Sequence, residues 1–159
     1  MNYKLIFLFE ILAFISLSFM AVAMEGSEGG LFGKNTIYGL SADFWIFTVA
    51  IPLFLLLPII ACGFESKLFG TLATGYFVGI TLEDFFWFIV NPNFGIMKLN
   101  SKYATWLQWI RIGFFEVPIF YVSNLLIAIL IWFIFIENGN KIDSIIKKYK
   151  STKRCQDAH

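Results

Sequence analysis

The sequence has almost no histidine: the one it contains, His159, is the last residue. That excludes haem held by an internal histidine, His-rich metal sites and Ser-His catalysis. Cysteine is nearly as scarce. Cys62 stands in an apolar run and Cys155 in a basic tail, a placement that suits neither a disulfide nor a zinc site. No metal or cofactor is expected. Charged residues make up only 14% of the chain, against about 25% in soluble domains. The net charge of +1 provides no field to attract nucleic acid, so none is expected as a partner.

What the chain has instead is apolar length. Of its 159 residues 58% are hydrophobic, and they fall into blocks of about twenty, the length needed to cross hydrocarbon. The expected fold class is all-α: a polytopic membrane protein with four transmembrane helices, an interfacial segment and a basic amphipathic tail. Residues 1–140 would form the transmembrane domain and 141–159 a cytoplasmic tail. The first run, Leu5 to Met24, ends in Ala21-Val22-Ala23, which resembles a signal-peptidase site. Glu10 inside its apolar stretch favours a retained helix instead. The glycine-scattered segment from Glu25 to Ser41 reads as a loop without a phosphate-binding motif.

The second run, Ala42 to Phe64, opens with Asp43 and Trp45 and contains Pro52 and Pro58, so a kinked helix is expected. A short turn, Glu65-Ser66-Lys67, makes the second and third spans antiparallel neighbours. The third run, Leu68 to about Val90, carries the most informative stretch. Glu83 and Asp84 stand side by side in it, followed by Trp87 and then Asn91-Pro92. A carboxylate at such a position costs several kcal/mol unless it meets partners, water or a functional site. On a helical wheel Glu83, Asp84, Trp87 and Asn91 share an arc of about 100°, and Gly75 and Gly79 lie nearly opposite, spaced to admit another helix backbone. Pro92 restricts Asn91 and should end the helix in a turn.

Lys98, Lys102, Tyr103, Trp106, Trp109 and Arg111 then lead to the last run, Val117 to Ile136. Their pattern suggests an interfacial amphipathic helix or aromatic anchor, or a single bent helix broken near Gly113 or Pro118. In the tail, Ile142, Ile145, Ile146 and Tyr149 recur at helical spacing among lysines, which suits an anionic membrane surface. With four spans and both termini inside, eight Lys/Arg lie inside and four outside. This points to a plasma-membrane protein with cytoplasmic N- and C-termini.

By helical rise Glu83 lies about 22 Å from the inner end of its span and Glu10 about 8 Å from its own. The candidate site is therefore an outer-leaflet set of Glu83, Asp84, Trp87, Asn91, Asp43, Arg111 and Glu116, without Glu10. Adjacent carboxylates in a dry site repel and are desolvated, so Arg111, protons or a cation must help. Three functions fit. The leading one is a structural or assembly protein whose polar network locks the helices, with the lipid bilayer, a membrane-protein partner or a second copy of itself as partners. The alternative is a cation- or proton-handling protein. The third is a membrane enzyme using paired carboxylates on a lipid-like substrate.

The run Glu83-Asp84-Phe85-Phe86-Trp87-Phe88-Ile89-Val90-Asn91-Pro92, followed by Trp106, Trp109 and Pro118, resembles a family of small prokaryotic integral membrane proteins for which no activity is established. The likeness covers about the second half of the chain, and its core is E-D-x-x-W-F-x-x-N-P. Members often carry a histidine beside the first loop tryptophan. Here Leu107-Gln108 follows Trp106, so no His-dependent metal or proton role is implied.

Overall fold

The computed structural model describes residues 1–25, 36–37, 40–41 and 44–156. Most of the glycine-rich segment 25–41 and the candidate Asp43 lie outside the described residues. The chain begins with helix α1 (Tyr3–Glu25). Two short strands, β1 (Thr36–Ile37) and β2 (Leu40–Ser41), pair antiparallel. A π-helical segment, Phe44–Ala50, runs into α2 (Ile51–Cys62). The ladder changes pitch at Pro52, which has no N–H to give the preceding turn, and the Phe47 carbonyl there accepts from the Tyr76 hydroxyl. Pro58 lies inside α2.

Helix α3 (Ser66–Val90) is central. It holds most of the buried residues, among them Leu68, Leu72, Glu83, Trp87 and Phe88. Helix α4 (Ile119–Ile131) continues as a π-helical segment, Trp132–Glu137, and α5 (Gly139–Gln156) follows. Four helical stretches, Tyr3–Ala23, Trp45–Cys62, Ser66–Val90 and Ile119–Glu137, are long and apolar enough to cross a membrane. Large apolar side chains cover their outer faces, including Phe9, Phe54, Ile60, Leu126 and Phe133. A water-soluble protein rarely exposes a continuous surface of that kind.

Between α3 and α4 the structure departs from the expected helix or bent helix. Residues 96–108 form a single 3-10 turn, Ile96–Lys98, and further turns. They lead into a hairpin of β3 (Trp109–Ile112) and β4 (Phe115–Pro118). Gly113 opens its two-residue loop with φ of 61°, a conformation glycine adopts without steric cost, and this turn geometry matches the twist of paired strands. The aromatic spacing at Tyr103, Trp106 and Ile110 imitates a helical period but belongs to turns and a strand.

Candidate functional site

Two packing registers decide which side chains meet. Along α1, Glu10 lies against Gly75 and Phe14 against Gly79, while Ala21 and Val22 pack at the level of Trp87 and Phe88. The offset between contacting residue numbers is constant, so α1 and α3 run parallel. Gly75 and Gly79 form the groove that accepts α1, as small residues do where helices approach closely. Along α4, Phe135 of its continuation meets Gly70, Asn124 Nδ2 donates to Thr81 Oγ1 at 3.4 Å, and Tyr121 donates to Asp84 Oδ2 at 2.6 Å. These residue numbers have a constant sum, so α4 runs antiparallel to α3.

The two neighbours occupy nearly opposite sides of α3. Asp84 faces α4, where the Tyr121 hydroxyl holds its carboxylate. Glu83 falls on the stripe of Gly75 and Gly79, level with the buried Ser18 of α1. Both acids were expected on one polar face. Adjacent residues sit 100° apart, and the charge of Glu83 still reaches Tyr121, the partner of Asp84.

Trp87 and Asn91 organise the end of α3. Trp87 packs against Phe94 with ring centroids 5.0 Å apart and against Trp106 at 6.4 Å, while Phe88 stacks on Trp106 at 6.3 Å. Trp109 Nε1 donates to the carbonyl of the fully buried Ala104 at 2.9 Å. Asn91 is 1% exposed. Its N–H donates to Trp87 O, its carbonyl accepts from Phe94 N and Gly95 N, and its Oδ1 accepts from Asn93 N at 3.0 Å. With φ of −77° and ψ of 114°, Asn91 takes the extended form that a following proline imposes. Asn91 thus caps the helix, and Trp87 joins the aromatic plug beside it.

Arg111 and Glu116 are directly opposite each other on the hairpin, and Arg111 Nη2 donates to Glu116 Oε1 at 3.1 Å. The Arg111 side chain is 75% exposed. The expected role of Arg111 as the counter-charge for Glu83 and Asp84 thus gives way to a pair within the hairpin, because a tight turn delivers Glu116 to it first. Ser101 donates its N–H to Glu116 Oε2 at 3.1 Å. Ser101, and after it Arg111, hold the Glu116 carboxyl below the usual glutamate range.

Sequence reasoning missed Tyr121 and Asn124, although with Ser123 they are the polar residues in the first half of the last apolar run. It also missed Asp143. The Oδ1 of Asp143 accepts from Ser66 N at 3.1 Å and from Ser66 Oγ at 2.6 Å, so an acid from α5 caps the N-terminus of α3, where the helix dipole favours negative charge. At the same end Tyr3 donates to the Glu65 carboxylate. Among the described residues no group of three or more His, Cys, Asp or Glu is arranged to hold a metal ion. Compared with protein-family models, curated proteins and solved structures, the chain matches none significantly.

Proposed function

We propose that this chain is an integral plasma-membrane protein of four spans with cytoplasmic termini, akin to the small prokaryotic membrane proteins its motif resembles, and that it serves as a structural or assembly subunit. The observation that carries this reading is the hydrogen bond from Tyr121 to Asp84, with Asn124 to Thr81 one turn away. The strongest polar residue of the motif is engaged by a neighbouring helix of the same chain. In a medium without competing water, such pairs select one helix register.

Replacing Tyr121 by Phe, or Asp84 by Asn, should lower the unfolding free energy of the purified protein by about 1–2 kcal/mol. The double variant should lose less than the sum, because the two residues form one interaction. A cation site would respond differently: added Na⁺ or divalent ions would raise the melting temperature of the wild type, and Asp84→Asn would abolish that rise without lowering stability. Thermal unfolding with and without salts separates the two, and the second pattern would overturn the structural role.

A second reading, proton handling, has its own observation at a different place: the carboxyl of Glu10 is buried without a hydrogen-bond partner among the described residues.

A further inference from the structure

Glu10 is 8% exposed, and neither of its carboxyl oxygens has a hydrogen-bond partner among the described residues. It lies so close over Gly75 that a Cβ there would overlap its Oε2 and Cδ. Glu10 is seven residues past Tyr3, about 10 Å along the first span, so the carboxyl sits at hydrocarbon depth once the chain is in a membrane. Among the described residues, the groups packed around it carry no countercharge. On α3 these are Leu72 and Gly75, with Tyr76 against the neighbouring Phe14, and on α2 they are Ile51 and Phe54. Tyr76 is the titratable member, and its hydroxyl donates to the carbonyl of Phe47.

A carboxylate in that setting is strongly disfavoured, and the neutral acid much less so. A metal ion would need six or more oxygen ligands or a second acid, whereas a proton needs only this group. A groove of about 470 Å³ between α1, α2 and α3 runs past Glu10, lined by Leu5, Phe9, Ile51, Phe54 and Leu72.

We propose that Glu10 is a proton-binding site inside the bundle, beside this groove, and that its ionisation forces the α1–α3 contact at Gly75 apart. On ionisation the O–H bond breaks, its electron pair stays on the carboxylate, and the proton passes to a water molecule that enters as the contact opens. The separation follows from geometry. The acid form rests against a glycine backbone that offers no donor, and the charged form must leave that contact to be solvated. The site goes beyond the structural role of Asp84 and rests only on the chain spanning a membrane.

The test uses the full chain in vesicles of neutral lipid, first washed with alkaline carbonate. Dicyclohexylcarbodiimide enters from the apolar phase and reacts with a protonated carboxyl, which adds across a C=N bond and rearranges to a stable N-acylurea. Peptide mass spectrometry should find the adduct on Glu10, forming at least about tenfold faster at about pH 6 than at about pH 9. Glu10→Gln should lack it and should keep the same melting temperature over that range, while the wild type loses stability as pH rises. Should Glu10→Gln fail to fold, Gly75→Ala replaces it: its Cβ displaces the carboxyl, so labelling at the lower pH must fall. An unlabelled Glu10, or one labelled equally at both pH values, overturns the proton site and leaves the membrane reading standing. Release of the protein by carbonate overturns both.

Discussion

At the scale of single residues, the same side-chain type does different work according to what stands across from it. Asp84 has a tyrosine hydroxyl, Asp143 has a helix N-terminus, Glu116 has an arginine and a serine, and Glu10 has glycine backbone. The Glu116 carboxyl is the one whose pH dependence follows directly from exposed partners. Its value in the folded chain is lowered, so its contribution to the hairpin is present above the ordinary glutamate value of about 4.3 and is lost as pH falls through and below it. Amide exchange at Arg111–Glu116 should therefore quicken, relative to the intrinsic rate, as the medium is acidified below that value. Glu116→Gln should show the quicker exchange already at neutral pH. Unchanged protection in the variant would mean that the turn at Gly113 alone holds the hairpin.

At the scale of elements, the packing of α3 depends on three glycines with unequal tolerance. A Cβ at Gly79 would enter the Phe14 ring, and one at Gly70 would come within 2.6 Å of the Phe135 Cβ. Neither neighbour can move without shifting a helix. At Gly75 the obstacle is the far end of the flexible Glu10 side chain. Gly79→Ala should accordingly destabilise by about 1–3 kcal/mol, the usual cost of overpacking, and Gly75→Ala by clearly less. The melting temperatures of the two variants in one detergent check the order, and equal losses would show that α1 does not seat on α3 as a rigid ridge.

At the scale of the whole molecule, the C-terminal helix is tied to the bundle at one end. Asp143 caps α3 through Ser66, and Gly139 lies beside Lys67. Ile145 and Tyr149 of α5 stay outward, 67% and 71% exposed, while Ile142 and Ile146 are half-buried; the outward pair is in keeping with a helix that lies on a lipid surface. Asp143→Ala removes a helix cap, a change that costs about 1 kcal/mol. It should raise hydrogen exchange across residues 139–156 in detergent while leaving α3 beyond its first turn unchanged. Lysine-rich α5 should regain protection when anionic lipid is added, because the membrane surface then replaces the lost tether. Lipid that fails to restore it would argue that α5 belongs to the bundle alone.

The sequence alone determined the long helices, the stop at Asn91-Pro92 and the basic amphipathic tail. Each follows from composition and local chemistry: apolar runs of membrane length, a proline that restricts the residue before it, lysines interleaved with isoleucines. Which polar residues belong together was decided by the tertiary structure. Glu83 and Asp84 are neighbours in sequence and were read as one face, yet which helix meets that face rests on how each slides along α3, and for α1 that depends on Gly75 and Gly79 receiving Glu10 and Phe14. Tyr121 and Asn124 became partners of the motif only through an antiparallel register that no local pattern specifies. The hairpin of residues 109–118 was hidden for the opposite reason: a short run of aromatics fits a helical period and a strand equally well, and a single glycine at positive φ decided between them.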